Sequence, residues 1–208
     1  MTDIAREHLN RYRTTPNLLT LLRICLAPFL VAAILENRYG LSFWLFMAAG
    51  LTDALDGLLA RLLKQRTMLG EYLDPVADKL LLSTLFLVLM TKSLIPVTVT
   101  VLVFGRDVGI LVVAAILYAA TGRREFSPSI FGKANTTAQV AAVATVLLQQ
   151  ALLQHKLWQQ PAAIYSVAVF RLVALDATIG LTIASGLHYA WIAARRVGAQ
   201  SANSHGAR

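Results

Sequence analysis

Cysteine is nearly absent from this chain, and charge is thin. The single cysteine, Cys25, lies in an apolar run. A disulfide framework and a cysteine-built metal centre are therefore excluded, and the residue reads as a small buried hydrophobe. Charged residues make up only 14% of the 208, against 57% hydrophobic, and the mean hydropathy is +0.61. That balance lies outside the apolar share of an ordinary soluble domain. The first 16 residues are polar, and no small-residue cleavage site follows the first apolar run. That run is expected to stay as an anchor and not to be removed as a signal peptide. No repeat recurs at a period of about 20 to 50 residues. The net charge of +8 forms no stripe interleaved with aromatics, which speaks against a nucleic-acid partner.

Long apolar runs are present instead. Six can be read: Leu18 to Leu35, Leu41 to Leu59, Leu80 to Met90, Leu94 to Ala120, Ala134 to Leu153 and Val167 to Ala194. Crossing a hydrocarbon core about 30 Å thick takes roughly 20 apolar residues at 1.5 Å each. The expected fold is all-α, a polytopic membrane protein with six transmembrane helices in a single domain over residues 1–197. The polar tail, residues 198–208, is expected to be disordered. Residues Thr2 to Tyr12 fit a short N-terminal interfacial helix, with a disordered leader as the alternative. The third run is short, and reaches span length only if its helix begins near Asp74 and carries carboxylates at its start.

The positive residues sort by side. Arg6, Arg11, Arg13, Arg61, Lys64, Arg66, Arg123, Arg124, Lys133, Arg195, Arg196 and Arg208 fall on one side of the six runs, against Arg38, Lys92 and Lys156 on the other. The richer side normally faces the cytoplasm, which places both termini and the segment from Arg61 to Asp74 there. Trp44, Trp158 and Trp191 fit interfacial anchors.

Five of the eleven acidic residues lie between Asp53 and Asp78. On a helix Asp53 and Asp56 share a face, and so do Asp74 and Asp78. Clustered carboxylates beside a membrane are unfavourable unless a cation compensates them. Oxygen donors without His or Cys suit Mg²⁺, Mn²⁺ or Ca²⁺, and Mg²⁺ commonly shares its coordination with substrate phosphates. Gly57 leaves room for a ligand beside the backbone. Arg61 and Arg66 either balance phosphate charge or simply flank a span on its cytoplasmic side.

The stretch DALDGLLAR at Asp53 to Arg61, followed after eight residues by GEYLDPVAD at Gly70 to Asp78, resembles the signature DxxDGxxAR, eight residues, GxxxDxxxD of the CDP-alcohol phosphatidyltransferase family. PNLLTLLR at Pro16 to Arg23 and SIFGKANTTAQ at Ser129 to Gln139 are similar to the branch containing phosphatidylglycerophosphate synthases and eukaryotic-type cardiolipin synthases. The resemblance implies an integral membrane transferase, often a homodimer, with a polar cavity open to the cytoplasm. It implies that a phosphatidyl group moves from CDP-diacylglycerol to an alcohol with loss of CMP, and that two divalent ions, Mg²⁺ or Mn²⁺, are held by Asp53, Asp56, Asp74 and Asp78, with Asp78 also the general base. It further implies a CDP-diacylglycerol site lined by Asn17, Thr20, Gly57, Arg61, Thr67 and Gly70. For Asn17 and Thr20 a helix cap after Pro16 is an equal alternative.

Arg106 and Asp107 lie inside the fourth run, where charge needs a polar cavity or a partner. Either they are a structural pair, or Arg106 joins Lys133 in holding the acceptor's phosphate. The acceptor is expected to be glycerol 3-phosphate, with phosphatidylglycerol as the alternative. Asp176 and Arg171 are five positions apart and would pair only loosely, and His188 reads as a packing residue. An ion-coupled transporter would show broken helices or repeated halves, and neither is seen. An aspartate-rich prenyltransferase would lack the glycine and the Ala-Arg pair found here.

Overall fold

The computed structural model describes residues 15–63, 68–121, 130–154 and 161–205. These residues form six helices and no strand: α1 (Thr15–Leu35), α2 (Tyr39–Leu63), α3 (Met68–Thr91), α4 (Val97–Thr121), α5 (Ile130–Gln154) and α6 (Pro161–His205). The all-α expectation holds. The expected interfacial helix over Thr2 to Tyr12 lies outside the described residues, as do Arg66, Thr67, Arg123, Arg124 and Trp158.

Each helix coincides with one of the six apolar runs, and two differences have physical causes. Helix α3 begins at Met68, so Asp74 and Asp78 stand in its second and third turns and not at its start. The stretch from Met68 to Tyr72 contains good helix formers and lets the short apolar run reach 24 residues. Helix α6 continues past Gly198 to His205, because no proline interrupts the polar stretch that follows Arg196.

Two of the helical segments, Gly132–Gln154 with 23 residues and Pro161–Trp191 with 31, are long and apolar enough to cross a membrane. In helices of this kind the hydroxyls find partners in their own backbone. Thr84 donates to the Leu80 carbonyl at 2.7 Å, and Thr178 to that of Ala174 at 2.8 Å.

Two compact units can be distinguished. The first contains α1, α2, α3 and Val143–Ala168. Its buried residues are almost all apolar: Leu30 and Ile34 of α1, Phe46 of α2, Leu85, Phe86 and Leu89 of α3, and Val146 and Leu147 of α5. Helix α1 packs against both α2 and α3. Cys25, expected to be buried, is exposed on α1.

The turns of this unit are well determined. After α1 the Arg38 amide donates to the Ala33 carbonyl at 2.8 Å and that of Asn37 to Ile34 at 3.0 Å, the two bonds of a Schellman cap, with Asn37 at φ 59°. After α3 the Leu94 and Ser93 amides repeat the pattern onto Leu89 and Met90, at 2.9 and 2.8 Å, with Ser93 at φ 57°. Lys92 Nζ donates to the Leu35 carbonyl at 2.6 Å and to Asn37 Oδ1 at 3.0 Å. The Gln154 amide meets the Asn37 carbonyl and accepts from the Tyr39 amide at 3.2 Å. The ends of α1, α3 and α5 and the start of α2 are thereby joined.

The second unit contains α4, the first part of α5 and α6 from Val169. Here the buried residues are mainly polar: Thr100 and Asp107 of α4, Asn135 and Gln139 of α5, and Thr178, Thr182 and Ser185 of α6. They recur at spacings of seven residues on α4, four on α5, and four and three on α6, so each helix turns one polar stripe inward.

Candidate active site

The residues assigned to chemistry begin at the end of α2. Asp53 and Asp56 are one turn apart on that helix, followed by Gly57 and Arg61. Gly70, Asp74 and Asp78 lie on α3, and Asn17 and Thr20 in the first turns of α1. All of these are placed by their helical backbone, and Asp53 is the one among them whose side chain is described. Among the described residues no group of three or more His, Cys, Asp or Glu side chains gathers to hold a metal ion.

Asp53 is half exposed and makes one strong contact. Arg23 Nη2 donates to its Oδ1 at 2.7 Å, and the arginine side chain is only 3% exposed against 50% for the carboxylate. Arg23 was not singled out from the sequence. The signal existed, because a guanidinium five residues into an apolar run must find an anion or a cavity. The pair orients the first carboxylate of the DxxDGxxAR motif from the neighbouring helix α1. It occupies one oxygen and leaves Oδ2 for another cation, so the donor chemistry fits an oxygen-liganded divalent ion.

In the second unit Arg106 meets Asp107 and a serine of α6. Arg106 Nη1 donates to Asp107 Oδ1 at 2.8 Å, with the two side chains 8% and 13% exposed. Arg106 Nε donates to Ser185 Oγ at 3.0 Å. The guanidinium is therefore held on two sides, while Nη2 makes no hydrogen bond among the described residues. Lys133 is exposed on α5, and its carbonyl accepts from the Thr137 hydroxyl at 3.1 Å. Asn135 is completely buried and accepts from Thr182 Oγ1 at 3.1 Å, and its Nδ2 has no partner among the described residues.

The remaining polar residues of α6 stand apart. Asp176 is exposed and forms no ion pair with Arg171 among the described residues. His188 has ring contacts with Tyr189 and Trp191 at 6.2 and 6.4 Å, as a packing residue does.

A family model for CDP-alcohol phosphatidyltransferases matches residues 13–193, which takes in all six helices as far as the apolar part of the last. The chain belongs to the CDP-alcohol phosphatidyltransferase family. Enzymes of this family are membrane transferases that use a divalent metal. Among similar proteins is the CMP-forming cardiolipin synthase of Homo sapiens, 38% identical over 154 residues, covering 64% of this chain and 50% of that protein. A probable phosphatidylglycerophosphate synthase of Mycobacterium tuberculosis is 31% identical over 195 residues, covering 90% of this chain and 85% of that protein. The CDP-diacylglycerol–glycerol-3-phosphate 3-phosphatidyltransferase of Aquifex aeolicus is 37% identical over 125 residues, covering 58% and 68%. The chain spans about half the length of the cardiolipin synthases it matches.

Proposed function

We propose that this protein transfers the phosphatidyl group of CDP-diacylglycerol to the hydroxyl of an alcohol acceptor, releasing CMP, in phospholipid synthesis. One observation carries the proposal: the whole signature falls on two consecutive helices at matching depths. Four residues separate the end of α2 at Leu63 from the start of α3 at Met68. A connection that short favours opposite directions for the two helices. Asp53 and Asp78 each stand ten residues from the connection, about 15 Å at 1.5 Å per residue, and Asp56 and Asp74 stand about 9–10 Å from it. Paired carboxylates at two levels suit two divalent ions, Mg²⁺ or Mn²⁺, held by Asp53, Asp56, Asp74 and Asp78. When bound, such ions supply the positive charge that a pyrophosphate and its leaving group require.

The chain's own residues divide the rest of the work. Arg23 keeps Asp53 oriented. Asn17, Thr20, Gly57, Arg61, Thr67 and Gly70 line the CDP-diacylglycerol site, and Arg61 offers a fork to a phosphate. Asp78 accepts the proton of the acceptor hydroxyl, whose oxygen bonds to the phosphorus next to diacylglycerol as the bond to CMP breaks. A general base of this kind contributes about 10²- to 10⁴-fold. Arg106 and Lys133 hold the acceptor's phosphate.

Glycerol 3-phosphate is the acceptor of the first reading. A second reading, phosphatidylglycerol, is favoured by the Arg106–Asp107 pair at 2.8 Å: an arginine already half neutralised suits a singly charged phosphodiester better than a dianion. The test offers the purified protein CDP-diacylglycerol and Mg²⁺ with glycerol 3-phosphate, phosphatidylglycerol, inositol phosphate or serine, and measures CMP release. Release with one acceptor identifies it. Undiminished release in excess chelator overturns the two-metal site.

We further propose that the six helices form one multi-pass membrane domain working as a homodimer, with the site and both termini in the cytoplasm. The distribution of Lys and Arg among the connections supports this orientation. Single cysteines near Arg124 and near Asn203 should be labelled only from the cytoplasmic side, and labelling from outside overturns it.

A further inference from the structure

We propose that Ser185, Thr182 and Asn135 form a buried hydrogen-bond chain that fixes the orientation of the Arg106 guanidinium, and thereby act as positioning residues for the acceptor. The proposal rests on the assignment of Arg106 to the acceptor made above.

An arginine on four rotatable bonds binds an oxyanion well only when its planar fork is already aimed. Arg106 is aimed from two directions. Its Nη1 donates to Asp107 on the same helix at 2.8 Å, and its Nε to Ser185 Oγ on α6 at 3.0 Å. The Ser185 hydroxyl has a single proton, and it goes to the Thr182 carbonyl at 3.1 Å. Its lone pairs are thus turned toward Arg106 and its role as acceptor is settled. Thr182 stands one turn earlier on the same face and donates its own hydroxyl to Asn135 Oδ1 at 3.1 Å. Asn135 lies two residues after Lys133 on α5. All three members of the chain are at most 3% exposed, so water does not compete for these bonds.

The chain therefore joins α4, α5 and α6 through the Arg106 guanidinium. Its members are small and uncharged, and none reaches past Arg106, so they act through it. With Nε and Nη1 engaged, Nη2 remains for an anionic oxygen.

The experiment uses the full chain with CDP-diacylglycerol and either phosphatidylglycerol or glycerol 3-phosphate. It compares Ser185→Ala, Thr182→Val, Thr182→Ser and Arg106→Gln, reading acceptor KM, CDP-diacylglycerol KM and thermal midpoint. Ser185→Ala is expected to raise the acceptor KM about tenfold, the effect of one hydrogen bond to a charged group, and to leave the CDP-diacylglycerol KM unchanged. Thr182→Val raises the acceptor KM less, with Thr182→Ser restoring it. If Ser185→Ala fails to fold, the isosteric Thr182→Val decides. A lower thermal midpoint with an unmoved acceptor KM in Ser185→Ala and Thr182→Val overturns the proposal and leaves the chain structural. If Arg106→Gln also leaves the acceptor KM unmoved, the assignment of Arg106 itself falls; if it raises the KM while those two variants do not, only the positioning chain falls.

Discussion

The two units of this molecule bury opposite kinds of side chain. In the first, Leu85, Phe86, Leu89, Val146 and Leu147 form an interior of the usual apolar sort, closed at one end by the Asn37, Lys92 and Gln154 contacts. In the second, Asp107, Asn135, Gln139, Thr178, Thr182 and Ser185 are buried alongside Ile95, Val99, Val103 and Leu175. Polar groups in membrane helices are costly and find partners or serve a site. The difference teaches that the two interiors are built differently: the first packs apolar side chains against one another, while the second buries polar side chains on each of its helices.

The largest effects should come from the carboxylates at the edge of the apolar unit. Asp78→Asn keeps one oxygen donor and removes the proton acceptor, so single-turnover CMP release should fall at least ~10²-fold while CDP-diacylglycerol affinity is largely kept. Asp53→Asn also breaks the 2.7 Å contact from Arg23 and should lose substrate affinity and turnover together. Equal loss of affinity in both variants would show that the two carboxylates do not divide these roles. Next in size is packing. Leu147→Ala opens a cavity in a fully buried position and should cost about 2–4 kcal/mol in thermal or denaturant stability, with the acceptor KM unchanged. A change in acceptor KM without loss of stability would erase the contrast between the units.

Much of this was legible in the chain before any coordinates, and for identifiable reasons. The apolar runs mark all six helices because runs of this length are too long for strands. The spacing of Asp53, Asp56, Asp74 and Asp78 put each pair on one helix face. The Arg23–Asp53 pair was not legible, since it joins residues 30 positions apart on different helices. The Arg106–Ser185 contact spans 79 positions, and a serine within an apolar helix gives no hint of its partner. The start of α3 at Met68 was hidden by a run of mixed polarity that hydropathy alone does not read as helix.

A smaller effect tests the polar unit directly. Thr100 is 3% exposed on α4 and its Oγ1 has no hydrogen-bond partner among the described residues. Thr100→Val keeps the shape and removes a buried hydroxyl that nothing satisfies, so the protein should gain about 1 kcal/mol. A loss of stability, or a loss of acceptor affinity, would show that the hydroxyl has a role the fold alone does not reveal.

The smallest effects concern the closed end of the apolar unit, where two residues share one backbone conformation and should respond with opposite sign. Asn37 and Ser93 both follow a helix in the left-handed region, at φ 59° and 57°, where a side chain costs about 1 kcal/mol that glycine does not. Ser93 is exposed and its side chain has no hydrogen bond among the described residues, so Ser93→Gly should raise the thermal midpoint by an amount equivalent to about 0.5–1 kcal/mol. Asn37 gains the same relief on substitution but loses its Oδ1, which accepts from Lys92 Nζ and from the Tyr39 hydroxyl, both at 3.0 Å. Two such hydrogen bonds, one of them charged, are together worth more than the relief, so Asn37→Gly should lower the midpoint. Double variants with Lys92→Met separate the contributions: once Lys92 is removed, the penalty of Asn37→Gly should shrink, whereas the gain from Ser93→Gly should be unchanged. If Asn37→Gly stabilises as Ser93→Gly does, the contacts around Asn37 add nothing and the end of this unit is held by its helix caps alone.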